Sequence, residues 1–121
     1  MKNRTIQTMK NSYSPYSNYQ VGACVLGEDD KFYEGVNIEN ASYGLTICAE
    51  RTAIFKCISN GNKKIKRIAV ATKDGGYPCG ACRQVMVEFC DDNVEVEIIN
   101  TTTNKSILTT VGAFLPNAFR L

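Results

Sequence analysis

Residues 67–100 read RIAVATKDGGYPCGACRQVMVEFCDDNVEVEIIN. Ile68-Ala69-Val70-Ala71 is a continuous apolar run, the pattern of a central strand buried on both faces. Lys73 to Tyr77 is rich in glycine, so the chain turns there. Pro78 can open a helix, because its missing N–H costs nothing at that position. The spacing predicts a helix from Cys79 to about Cys90, with Cys82, Val85, Met86, Phe89 and Cys90 on one face. Val94 to Asn100 alternates as a strand does. Strand, helix and strand make a βαβ unit, which predicts parallel strands at 67–72 and 94–100 with a right-handed crossover.

The flanking sequence extends that unit in both directions. Tyr19 to Leu26 alternates as a strand, Gly27 to Asp30 turns, and Lys31 to Ile38 reads as the returning strand of a hairpin. Ile47 to Asn60 is helical, with Ile47, Ala53, Ile54, Cys57 and Ile58 forming its apolar face and Gly61 following as a stop. Ser106 to Thr109 is a fifth strand, and the short connection before it, Thr101 to Lys105, demands antiparallel pairing. Residues 2–11 form a short helix, and Ser12 to Asn18 form a loop around Pro15. The expected fold is α/β: a three-layer α-β-α sandwich with a mixed sheet of about five strands.

The 121 residues leave space for one domain, 1–121, and no second sizeable core. Hydrophobic residues at 44%, charged residues at 21% and a net charge of +2 fit a soluble globular chain. That charge gives no reason to expect a nucleic-acid partner, and the cluster Lys63, Lys64, Lys66 and Arg67 reads as a solvated loop. No apolar run approaches the ~20 residues of a membrane span. Met1 to Lys10 is polar and lacks a signal-peptide core, so a cytoplasmic location with reduced thiols is expected. The chain has six cysteines and no histidine. The absence of imidazole excludes a Ser-His-Asp triad and every histidine-ligated metal site.

Cys48-Ala49-Glu50-Arg51 and Pro78-Cys79-Gly80-Ala81-Cys82 carry the candidate chemistry. Cys79 and Cys82 stand at i and i+3, so both thiols face one way, and Cys48 lies at the start of the other helix. A helix N-terminus favours thiolate. Three thiolates at two helix N-termini can hold one zinc ion and leave a fourth position open, as catalytic sites do. Three thiolates around a dication leave one net negative charge, which Arg51, on the same side as Cys48, would withdraw by donating to sulfur. Glu50 is placed to face metal-bound water and to carry a proton. A lone Cys-x-x-Cys could instead be a redox pair or half of a structural zinc site. Cys24, Cys57 and Cys90 read as core residues.

In order along the chain, Ser14-Pro15-Tyr16-Ser17, Val21-Gly22-Ala23, Asn37-Ile38-Glu39-Asn40-Ala41, Cys48-Ala49-Glu50-Arg51-Thr52-Ala53, Pro78-Cys79-Gly80-Ala81-Cys82-Arg83-Gln84 and Leu115-Pro116-Asn117-Ala118-Phe119 resemble the zinc-dependent cytidine deaminases of the short-chain, homotetrameric type. The ordered set spans about residues 12–120. The resemblance implies one Zn²⁺ per chain on Cys48, Cys79 and Cys82. It also implies hydrolytic deamination of cytidine and 2′-deoxycytidine by a zinc-bound hydroxide, with Glu50 as the proton shuttle. It implies that Asn37 and Glu39 bind the ribose hydroxyls and that the Ala49 backbone meets the pyrimidine edge. Tyr19, where the family usually has Phe, would lie beside sugar and base. Tyr43 and Phe119 would reach a neighbouring subunit's pocket in a homotetramer.

Departures from the family lie at the edges: a short N-terminal helix, Gly112-Ala113 before the Leu-Pro segment, and Tyr77 before Pro78. Tyr77 could cover the pocket mouth or face solvent. Alternatives to the nucleoside substrate are a nucleoside antibiotic or a polynucleotide base, and, outside enzymes, a structural zinc domain.

Overall fold

The computed structural model describes residues 1–121. Strands β1 (Gly22–Gly27), β2 (Phe32–Val36), β3 (Ile65–Thr72), β4 (Glu95–Asn100) and β5 (Lys105–Thr110) form one sheet in the order β2-β1-β3-β4-β5. Only β3 and β4 run parallel; the other neighbours are antiparallel. The mixed five-stranded sheet and the βαβ pairing expected from residues 67–100 are therefore present. Helix α1 (Lys2–Thr8) covers one face. Helices α2 (Ala49–Ser59) and α3 (Gly80–Phe89) cover the other, and the short α4 (Val111–Phe114) packs beside α3.

The run at the centre of β3 shows why three layers form. Ile68 and Val70 point into the larger core with Ala53, Ile54, Cys57, Met86 and Cys90 of the α2 and α3 side. Ala69 and Ala71 point the other way, under Met1, Ile6 and Met9 of the α1 side. Alternation puts successive side chains on opposite faces, so a strand covered on both sides must be apolar throughout. Cys24, Cys57 and Cys90 are all fully buried, as core residues. Burial pushes their thiols up, to about 11, 11 and 12. No helix is long and apolar enough to cross a membrane.

Several element ends differ from the sequence expectation, β2 (expected over 31–38) and β3 (expected from 67) among them, and three differ for a clear local reason. Tyr19 to Val21 leave the ladder because the Asn37 side chain takes their backbone: its Nδ2 donates to Tyr19 O at 2.8 Å and its Oδ1 accepts from Val21 N–H at 3.0 Å. Ile47 does not join α2 because it bridges to Ile38 by a pair of 3.0 Å backbone hydrogen bonds. Cys48 and Cys79 consequently sit at the N-cap positions, with extended backbone (ψ 153° and 169°), rather than inside the first turns. Pro78 precedes that cap instead of occupying the first helical position.

Gly35 in β2 lets the sheet approach α2. A Cβ there would lie 2.6 Å from Ala49 O, against backbone that cannot yield without shifting the helix. Gly35→Ala is expected to lower stability by about 3 kcal/mol, the upper end of ordinary overpacking costs. Chemical denaturation would read the loss, and a midpoint equal to wild type would refute the contact.

Candidate active site

The N-termini of α2 and α3 open at the same end of the sheet, beside the C-terminal end of β3. Cys48 caps α2, Cys79 caps α3, and Cys82 follows in the first turn of α3. Their sulfur atoms lie within 4.8 Å of one another, with Cys48 and Cys79 at 3.8 Å, too far for a disulfide. Hydrogen bonds with the Cys82 thiol, with Arg51 and with Cys79 bring the Cys48 thiol down to about 5. The same contact with Cys48, together with burial, raises Cys82. Two adjacent thiolates repel, and a dication relieves that repulsion. An all-sulfur donor set converging from two helix N-termini fits zinc.

Arg51 reaches back along α2, and its Nη2 donates to Cys48 Sγ at 3.4 Å. Its Nε is buried without a partner, and the Cys48 hydrogen bond raises its pKa, so the guanidinium remains charged beside the sulfurs. Glu50, 5% exposed, lines the adjoining cleft. Burial pushes its carboxyl up to about 7, so near neutral pH it can both take and give a proton.

That cleft encloses about 410 Å³ between Cys48, Ala49, Glu50 and Cys79 on one side and Tyr19, Asn37 and Glu39 on the other. Asn37 and Glu39 share it, as i, i+2 residues at a strand end can. Both are also wired to the loop before β1. Asn37 Oδ1 accepts from Ser12 Oγ as well as from Val21. Glu39 Oε1 accepts from the N–H groups of Tyr16 and Ser17 at 3.0 and 3.1 Å, and Oε2 from Ser17 Oγ. The Ser17 hydroxyl, with both N–H groups, holds Glu39 below the usual carboxylate range. Asn37 is left with one free N–H, and Glu39 with spare acceptor capacity on Oε2.

Tyr43 lies in a second cavity of about 300 Å³, which shares Ser17, Glu39 and Thr46 with the cleft. Phe119 is not brought to the cleft of its own chain: its ring is 69% exposed and its carbonyl accepts from Gln84 Nε2 at 3.0 Å. Tyr77 lines the cleft and is 57% exposed, its ring edge-on to Phe114 at 6.0 Å. Thr72, Asp74 and Gly76 were not anticipated. Thr72 and Gly76 line the cleft, and Asp74 accepts from the Tyr19 hydroxyl. A Gly-rich loop directly after the central strand was the available signal, since ligands bind in crevices at the carboxyl ends of such strands.

Fold and site together define a zinc-binding α/β enzyme domain whose metal is held by thiolates alone. Residues 1–98 match the family described as the cytidine and deoxycytidylate deaminase zinc-binding region. The chain is 49% identical over 116 residues to the cytidine deaminase of Halalkalibacterium halodurans, covering 94% of this chain and 87% of that protein. It is 47% identical over 110 residues to that of Sporosarcina psychrophila, covering 89% and 80%. The crystal structure of cytidine deaminase from Burkholderia pseudomallei superposes with a TM-score of 0.91 at 40% identity, covering 97% and 94%. The chain belongs to the cytidine deaminase family.

Proposed function

We propose that the chain catalyses the hydrolytic deamination of cytidine and 2′-deoxycytidine to uridine and 2′-deoxyuridine, releasing ammonia. The observation that carries this reading is Glu50, a buried carboxylate facing the cleft beside three converged thiols. Zinc on Cys48, Cys79 and Cys82 supplies a Lewis acid that makes water acidic near neutral pH.

The remaining work falls to the side chains. Glu50 takes the proton released from water, delivers it to N3 of the base, and then assists proton transfer to the departing amino group. Its raised pKa suits a group that must be base and then acid. Arg51 withdraws charge from the thiolates. The Ala49 backbone meets the pyrimidine edge. Asn37 offers its free N–H and Glu39 its spare carboxylate oxygen to the ribose hydroxyls. Tyr19 presents its ring beside sugar and base. The cleft volume lies within the ~300–1,000 Å³ usual for small-molecule sites. Loss of cytidine absorbance by the zinc-loaded protein tests the reading. Inertness toward every free pyrimidine nucleoside, or preference for an oligonucleotide in competition, would overturn it.

The working unit in this reading is a homotetramer with pockets shared between subunits. Tyr43, Leu45 and Phe119 are 78%, 71% and 69% exposed, and apolar groups presented this openly favour association. Light scattering is expected to give four times the chain mass, and a monomer at micromolar concentration would reject the shared pocket.

A further inference from the structure

The cleft has two walls that come from distant parts of the chain. One is the segment from Ser12 to Val21; the other is the loop from Lys73 to Cys79, which ends on a zinc ligand. One hydrogen bond joins them. Tyr19 Oη donates to Asp74 Oδ1 at 2.5 Å, and no other hydrogen bond connects the two segments.

The loop is built to receive that hydroxyl. Thr72 Oγ1 donates to the same Asp74 oxygen at 3.2 Å and accepts from the Gly76 N–H at 2.8 Å. Thr72 itself is 3% exposed, so the inner end of this chain of bonds is anchored on β3. A Cβ at Gly76 would lie 2.8 Å from the Tyr19 hydroxyl oxygen, so a side chain there would push the hydroxyl from its present place. Lys73 places its ammonium 5.7 Å from the centre of the same ring. Tyr19 is held from its other end too: its carbonyl accepts from Asn37 and its N–H donates to Ser17 Oγ at 3.0 Å. A phenylalanine would pack similarly against the cleft but would leave the carboxylate with the Thr72 hydroxyl alone, and the two walls unjoined.

We propose that Asp74 is a positioning residue for the nucleoside: through the Tyr19 hydroxyl it latches the two walls together and fixes the width of the cleft. The proposal rests on the nucleoside reading above, and assigns no contact between Asp74 and the substrate. Its effect is on binding. An unlatched wall lets Tyr19 sample positions that do not fit the ligand, which weakens ground-state and transition-state binding alike and so raises KM more than it lowers kcat.

Steady-state kinetics with cytidine test this on four variants of known zinc content. Asp74→Ala and Tyr19→Phe are each expected to raise KM about tenfold, the scale of one hydrogen bond to a charged group. The double variant is expected to be no worse than either single one, because both remove the same bond. Asp74→Asn keeps an oxygen acceptor and is expected to restore most of the affinity. A KM within twofold of wild type for Asp74→Ala, additive effects in the double variant, or Asp74→Asn as impaired as Asp74→Ala would each overturn the latch. Amide exchange at Gly76, whose N–H is held by the Thr72 hydroxyl, reads the same chain of bonds with no nucleoside present. It is expected to accelerate in Tyr19→Phe, and unchanged exchange refutes the latch whatever the kinetics show. A wild-type protein inert toward cytidine would instead count against the nucleoside reading, leaving the exchange result to decide the latch.

Discussion

Glu50→Gln is expected to lower kcat for cytidine by at least about 10³-fold while leaving zinc content unchanged. Glutamine has nearly the same size and keeps a polar head in the cleft, so the walls around it have no reason to move. What it loses is the capacity to carry a proton. In a chain with no histidine, the loss is not easily covered: Glu50 is the only carboxylate buried in the cleft beside the three thiols. Glu39 lines the same cleft, but the hydroxyl of Ser17 and two N–H groups hold it in the ionised form. A carboxylate held below its usual range is a poor acid near neutral pH. The thermal midpoint of Glu50→Gln is expected to be no lower than wild type. Burial disfavours the charged form of Glu50, and a neutral side chain removes that cost. Metal analysis, kinetics and a thermal scan on one preparation check all three points. A variant that keeps its zinc and more than a tenth of wild-type kcat would remove Glu50 from the proton path.

The parts of this molecule that were legible in the sequence are those where one physical constraint dominates. Burial on both faces makes Ile68 to Ala71 apolar without a break, and that alone marks the central strand. The i, i+3 spacing of Cys79 and Cys82, with no imidazole available anywhere, leaves few metal sites to choose from. Element ends were less legible because side chains from elsewhere compete for backbone groups. The Asn37 amide captures Tyr19 and Val21, and no pattern within residues 19–26 could announce it. Asp74 was illegible for a related reason. Its partner is 55 residues away in a loop without periodicity, so neither end predicts the other. Phe119 marks a third kind of limit, since its proposed task lies in another copy of the chain and its surroundings within one chain carry no trace of it.

Removal of zinc is expected to abolish activity and to lower the thermal midpoint by roughly 12–16 °C. The three thiols come from the caps and first turn of two helices that begin at opposite ends of a long stretch of chain, so the metal ties α2 to α3. Binding at about a thousandfold excess over Kd stabilises the native state by about 4 kcal/mol, and each kcal/mol moves the midpoint of a domain this size by about 3–4 °C. The three sulfurs crowd within 4.8 Å of one another, and the Arg51 guanidinium at 3.4 Å from Cys48 balances only part of the negative charge that their ionisation brings. The six cysteines supply a direct readout. Cys24, Cys57 and Cys90 are buried in the core, and bound metal masks the other three, so the native holoprotein is expected to react with almost no thiol reagent. Chelation should expose Cys79 first, since it is the exposed ligand, and zinc should restore both protection and activity. Cys82→Ala is expected to be more damaging to stability than Cys79→Ala. Cys82 is fully buried, so its truncation removes a metal ligand and opens a small cavity, whereas Cys79 loses only the ligand. Full activity in protein stripped below about a tenth of an equivalent of zinc would contradict this. So would equal thiol reactivity before and after chelation, because the three sulfurs would then be crowded together for some purpose other than holding a metal.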